Sequence, residues 1–161
     1  MLNRIFPKQF DNHYRGHKLA LWLFVPIALA NVAIALVAIF RNDGGAQSAD
    51  GIPLDTFTVA AAQSVIGAVA LIGLAKLLLG FLFILALLRY RAMIPLMYLL
   101  IVVDYVGHKW LGFVKPIMHV AGTSAGTIVT LALFALSVIG LVLSLWGRGY
   151  HTRPGTEAIR P

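Results

Sequence analysis

Four long runs of apolar residues constrain this chain more than any other feature of its sequence. They predict membrane spans at residues 19–40, 64–88, 92–109 and 127–146. An α-helix rises about 1.5 Å per residue, so about 20 residues are enough to cross the roughly 30 Å hydrocarbon layer of a bilayer. We therefore expect an all-α fold, namely an integral membrane four-helix bundle.

The composition supports a membrane environment for the chain as a whole. Hydrophobic residues make up 60% of the 161 residues and charged residues 12%, and the mean hydropathy is +0.86. These values are far from those of a soluble domain of this size. The sequence contains no cysteine, which excludes disulfides, thiolate metal sites, iron–sulfur ligation and thiol catalysis.

Polar segments divide the chain into three parts. Residues 1–18 form a basic segment expected to lie on the membrane face, residues 19–147 contain the four spans, and residues 148–161 form a polar tail. The second apolar run begins earlier than its span, at Phe57, and is longer than a bilayer requires. Its first residues are therefore expected to project from the membrane, or the helix to tilt.

Positive charges are distributed unequally between the two sides of the predicted bundle. Nine lysines and arginines lie in the N-terminal segment, the turn between the second and third spans and the tail, whereas three lie in the two opposite loops. This bias predicts that both termini are cytoplasmic. The net charge of +7 could also indicate nucleic-acid binding, but the cations flank apolar runs, so we expect contacts with the lipid bilayer or partner proteins and none with nucleic acid. The cations assigned to these contacts are Arg4, Lys8, Arg15, Lys18, Arg89, Arg91, Arg148 and Arg153.

Two ionisable residues fall near the middle of predicted spans, at matching depth. Lys76 lies 12 residues before Leu88, and Asp104 lies 12 residues after Ala92, on the neighbouring antiparallel helix. A lone charge near the bilayer centre costs at least about 2.5 kcal/mol on insertion scales, so such groups usually face the protein interior and pair. We therefore predict a Lys76–Asp104 pair.

Other small or polar residues are predicted to lie near this pair. Asn31 in the first span and Ser137 in the fourth lie at a similar depth, so the four spans offer one mid-membrane polar layer. Gly73 and Gly80 share the face of Lys76, where the absence of side chains lets another helix approach closely. The pair can be structural, since buried polar groups often only join helices, or it can handle protons, ions or a polar ligand. A third alternative is that one of the two charges reaches a membrane interface.

No motif for catalysis or cofactor binding stands in a supporting context. The sequence shows no phosphate-binding glycine loop, paired catalytic carboxylates, metal-ligand cluster or serine–histidine arrangement of that kind. We predict no catalytic, cofactor-binding or metal-binding residue and no enzymatic activity. His108, at the end of the third span, is the histidine nearest to the apolar interior and the one candidate for a haem or pigment ligand.

Two short stretches resemble a known group of proteins. Residues 48–55, SADGIPLD, and residues 89–98, RYRAMIPLMY, are similar to a family of uncharacterised four-span proteins of proteobacteria. The resemblance implies a bacterial inner-membrane location. It implies no activity and transfers no site residue.

These features predict a non-catalytic accessory subunit of a larger bacterial inner-membrane complex. The tail, residues 148–161, contains Pro154, Gly155 and Pro161, which makes it a poor membrane-surface helix and a candidate for contact with a partner protein. The first alternative is a small transporter or proton-linked protein that uses the Lys76 and Asp104 layer. The second is a membrane enzyme or lipid-handling protein.

Overall fold

The computed structural model describes Ile5, Asn12, Tyr14 and the ranges 16–116 and 125–146. This part of the chain folds into α-helices and contains no β-strand, which confirms the all-α fold. Five of the basic residues assigned to lipid or partner contacts lie outside the described residues: Arg4, Lys8, Arg15, Arg148 and Arg153.

Four long helices form the described part of the chain. They are α1 Lys18–Phe40, α2 Val59–Leu88, α3 Ile94–Val114 and α4 Ala125–Leu145. Short 3-10 turns at Leu54–Thr56 and Arg91–Met93 precede α2 and α3. All four helices are long and apolar enough to cross a membrane. Compared with the predicted spans, α2 begins five residues earlier and α3 ends five residues later.

Local sequence explains where the helices begin. The side chains of His17 and Thr58 accept hydrogen bonds from the first-turn amides of α1 and α2, which have no partner within the helix. Pro95 occupies the first turn of α3, where its missing amide costs no helical hydrogen bond. The first three helices therefore start at residues that suit a helix N-terminus.

The packing order of the helices differs from their order along the chain. α1 packs along both α2 and α4, and α3 packs mainly against α4, whereas contacts between the consecutive helices α2 and α3 are sparse. The bundle is therefore open along one side. We call this gap, lined by Lys76 and Leu79 of α2 and by Leu100 and Asp104 of α3, the α2–α3 opening.

An aromatic cluster joins the helices at the end of the bundle that holds the α2–α3 turn. The ring of Phe24 packs edge-on against Phe83 and Tyr98, with ring centroids 5.7 Å and 4.9 Å away. The buried Tyr98 hydroxyl donates a 2.7 Å hydrogen bond to the Ala20 carbonyl, and its ring lies against Gly140 at a position that any Cβ would occupy. Gly140 thus allows α3 to pack closely on α4.

At the opposite end, residues 41–56 form a folded cap. Three glycines in it have positive φ angles, a conformation that L side chains rarely adopt: Gly44, Gly45 and Gly51. Three apolar residues of the cap are buried against the first turns of α2: Ala46, Ile52 and Leu54. The cap also reaches α4, because the Gly126 amide donates a 2.9 Å hydrogen bond to the Ala49 carbonyl.

Much of the outer surface of the bundle is apolar. Large hydrophobic side chains such as Phe40, Phe81 and Phe113 are exposed on the helices. Only 17–33% of the residues in each candidate span are buried inside the bundle. A surface of this kind is stable when hydrocarbon, and not water, surrounds it.

Candidate functional site

The structure brings Lys76 and Asp104 together at the α2–α3 opening. Lys76 Nζ lies 3.0 Å from Asp104 Oδ2, within hydrogen-bond and ion-pair distance. The two helices run in opposite directions from the turn near Arg91, and equal residue counts from that turn place both charges in one layer. The pair is incompletely covered, because 26% of the Lys76 side chain and 38% of the Asp104 side chain are exposed.

His108 extends the pair along α3. Its Nδ1 lies 3.3 Å from Asp104 Oδ1 and 3.0 Å from the Asp104 backbone carbonyl oxygen. Both oxygens are acceptors, so these contacts require Nδ1 to carry a proton. Sequence reasoning missed this role, although the separation of four residues places His108 one helical turn beyond Asp104 on the same face. Lys76, Asp104 and His108 are hereafter the charged cluster.

Asn31 lies behind the pair on α1. It lines a small cleft together with Lys76, Asp104 and four apolar residues, namely Leu79, Phe83, Leu100 and Ile101. The space open to the centre of a water molecule is about 20 Å³, enough for about one water. The Asn31 amide nitrogen donates a 2.9 Å hydrogen bond to the Ile27 carbonyl of its own helix.

Ser137 is placed differently from the predicted polar layer. It is fully buried, and its hydroxyl donates a 2.7 Å hydrogen bond to the Leu133 carbonyl within α4. It does not line the cleft with Asn31 and the ion pair. The layer therefore combines residues of α1, α2 and α3, and Ser137 belongs to the packing face of α4.

Gly73 and Gly80 lie in the contact between α2 and α1. A Cβ at Gly73 would lie 2.7 Å from the Ala38 Cβ, and a Cβ at Gly80 would lie 2.7 Å from Val32 Cγ2. Ordinary carbon contacts are about 3.5–4.0 Å, so neither position accepts a side chain without a shift. The glycines hold α2 against α1, which leaves Lys76 at the edge of that contact and directed toward α3.

An aromatic contact joins α3 to α4 near the charged cluster. The ring of Tyr105 stacks on Phe134 of α4 with ring centroids 4.1 Å apart. Lys109 Nζ lies 5.7 Å from the centroid of the Tyr105 ring, within the range of a cation–π interaction. α3 is therefore anchored to α4 on one side, while the side that carries Asp104 faces the opening.

The cap contains a strongly stabilised carboxylate at Asp43. The Ser48 side chain and amide and the Gly45 amide hydrogen-bond to it, and Arg41 Nε lies 3.2 Å from Oδ1. These contacts, led by the Ser48 side chain, lower the pKa of Asp43 to about 2. Asp43 thus organises the turn at the start of the cap, a role that the sequence signals only through its position beside Gly44.

Three of the predicted lipid-contacting cations are described, and they lie at the opposite end of the bundle from the cap. Lys18 and Arg89 are exposed, and Arg91 Nε donates a 3.1 Å hydrogen bond to the Leu87 carbonyl at the end of α2. Nearby, the Tyr14 hydroxyl donates a 3.2 Å hydrogen bond to Ser144, and burial raises the pKa of Tyr14. This contact holds Tyr14 against α4.

The fold and these contacts define a class of protein, a multi-pass helical membrane protein with a charged cluster between two of its spans. Within the described ranges 16–116 and 125–146, no group of three or more histidine, aspartate or glutamate side chains could hold a metal ion. No protein-family model, curated protein or solved structure matches the chain.

Proposed function

We propose that this chain is a non-catalytic subunit of a larger bacterial inner-membrane assembly and that it meets its partner at the α2–α3 opening. One observation carries the proposal: the charged cluster is partly exposed on the apolar side of a membrane-spanning bundle. The exposed fractions are 26% for Lys76, 38% for Asp104 and 56% for His108.

Hydrocarbon is a poor environment for this exposed surface. Charged side chains in spans usually face the interior of a protein or a water-filled cavity, because a charge at mid-membrane costs at least about 2.5 kcal/mol. The Lys76–Asp104 contact lowers this cost without removing it, since each group keeps free hydrogen-bonding positions. A polar surface from another membrane protein would satisfy those positions.

The location and orientation rest on sequence features. The excess of lysine and arginine on the side of the α2–α3 turn supports cytoplasmic termini, and the resemblance of residues 48–55 and 89–98 to a proteobacterial family supports an inner-membrane location. Single cysteines at the exposed positions Gln47 and Arg89 test the orientation in a chain that has no other cysteine. An impermeant thiol reagent on intact spheroplasts should label Gln47→Cys and leave Arg89→Cys unlabelled; the reverse pattern would exclude cytoplasmic termini.

The assembly is tested by native purification in mild detergent. The parent chain should migrate as part of a larger complex, with co-purifying polypeptides identified by mass spectrometry. Lys76→Met combined with Asp104→Leu removes the exposed charges together and should release the chain from the complex. Lys115→Met, at an exposed position beyond the end of α3, is the matched control and should remain bound. A parent that migrates as a monomer, or a neutral double variant that co-purifies in full yield, would contradict the proposal.

A second function, a small transporter or proton-linked protein, is favoured by the cleft. Asn31, Lys76 and Asp104 line a space that accommodates about one water at mid-membrane depth, an arrangement also used in proton pathways. Proteoliposomes that contain a pH-sensitive dye should then show a proton flux that Asp104→Asn abolishes. If the parent gives no flux above empty liposomes, the transporter alternative fails and the assembly proposal stands.

A further inference from the structure

The direction of the Lys76–Asp104 pair constrains what can cover it. Lys76 and Asp104 lie in one layer on neighbouring antiparallel helices, and their charged atoms are 3.0 Å apart. The line that joins the two charges therefore runs roughly in the membrane plane. A partner that matches it must present a negative and then a positive group at the same depth, in the reverse order.

A second copy of this chain meets that requirement by symmetry. Copies inserted with the same topology can be related by a two-fold axis along the membrane normal. Such an axis keeps the depth of every residue and reverses every direction in the membrane plane. It would place Asp104 of each copy opposite Lys76 of the other.

We propose that the occupant of the α2–α3 opening is a second copy of this chain, related by a two-fold axis along the membrane normal. The two ion pairs then form one ring of four alternating charges. This inference rests on the proposed function, because it names the first partner at the same surface. An unrelated partner would need polar or charged groups of its own at the same depth, whereas the second copy carries a charge pair that already matches in the reversed order.

The surface around Asp104 on α3 suits close approach of another helix. Gly107, one turn beyond Asp104, has no atom within 4 Å of the position that a Cβ would occupy. Leu100 and Leu111 lie near the same face, and both side chains are exposed. An open glycine between two exposed leucines lets a second backbone come near the charges while the leucines exclude lipid from them.

The first test places a photo-crosslinking amino acid at Leu111 or at Val106. Both positions are 52% exposed, but Leu111 lies about 20° from Asp104 around the helix and Val106 about 160° from it. Irradiation of membranes should convert the Leu111 variant into an adduct of twice the 17.4 kDa chain mass, and the Val106 variant should give several-fold less. Two differently tagged copies show whether both halves of the adduct are this chain.

The outcomes separate this inference from the proposed function. A Leu111 adduct with a different polypeptide would overturn the second copy as occupant and keep the assembly. Absence of any Leu111 adduct, or equal yields at Leu111 and Val106, would count against both.

The second test uses complementation between copies. Lys76→Met and Asp104→Leu chains, with different tags and the crosslinker at Leu111, are expressed separately and together. In a mixed pair, the remaining Asp104 of one copy faces the remaining Lys76 of the other. Adducts between unlike tags should exceed adducts between like tags by about fivefold. This is the ratio expected when one polar contact favours the mixed pair by about 1 kcal/mol. Equal yields of like and unlike adducts would overturn the ring of four charges.

Discussion

Val32 on α1 and Gly80 on α2 form a close contact. It can be tested by substitutions that add a methyl group at Gly80 or remove the side-chain methyl groups of Val32. A Cβ added at Gly80 would lie 2.7 Å from Val32 Cγ2 but 3.7 Å from the Val32 backbone, so one methyl group accounts for the collision. Valine in a helix strongly prefers one χ1 rotamer, and this methyl therefore cannot rotate away without cost.

The expected magnitude follows from this geometry. Overpacking a well-packed contact costs about 1–3 kcal/mol, and replacing glycine by alanine in a helix returns up to about 1 kcal/mol. Gly80→Ala should therefore lower the free energy of unfolding by up to about 2 kcal/mol. Val32→Ala removes the colliding methyl, so adding Gly80→Ala in that background should cost nothing.

The free energy of unfolding is measured for the parent, Val32→Ala, Gly80→Ala and the double variant. Each protein is unfolded in mixed micelles of increasing sodium dodecyl sulfate content, and the loss of helix is followed by circular dichroism. Gly67→Ala is the matched control on α2, because a Cβ at Gly67 meets no atom within 4 Å, and its effect should stay below about 0.5 kcal/mol. If the losses of Val32→Ala and Gly80→Ala simply add, the two residues do not meet, and the proposed close contact of α1 and α2 is wrong.

Three further predictions concern the ion pair, the cap and the aromatic cluster. Lys76→Met and Asp104→Leu should each destabilise the detergent-solubilised protein by about 0.5–2 kcal/mol, and the double variant should recover most of the loss; additive losses would show that the charges are not coupled. Because the folded-state pKa of Asp43 is lowered to about 2, its stabilisation of the cap is complete above the unfolded pKa of about 4 and is lost as the pH falls toward 2. The protection factors of cap amides, which compare their hydrogen exchange with the intrinsic rate at each pH, should fall over that range, and Asp43→Asn should lower them at pH 7, whereas Asn at the exposed Asp55 should not. Tyr98→Phe should lower the free energy of unfolding by about 0.5–1.5 kcal/mol, because its buried hydrogen bond is lost. The melting temperature should fall accordingly, and an unchanged melting temperature would contradict that contact.

Some contacts of the site could have been found from sequence spacing, and others could not. The separation of four residues between Asp104 and His108 was a sufficient signal for their contact. By contrast, Ser137 shares the depth of the polar layer but lies away from the cleft that Asn31 lines. Depth along the membrane normal does not specify the direction in which a residue faces.

The sequence by itself determined the number of spans, their approximate bounds and the common depth of Lys76 and Asp104. These properties follow from the rise per residue and from the length of apolar chain that a bilayer requires, both of which can be counted along one dimension. Only the tertiary structure decided which helices touch. Gly73 and Gly80 of α2 pack on α1, and Gly140 of α4 receives Tyr98 of α3, so the consecutive helices α2 and α3 are held by other neighbours and make few contacts with each other. Which helices pack together depends on how side chains from distant parts of the chain fit against each other. This packing leaves the charged cluster at the open side of the bundle.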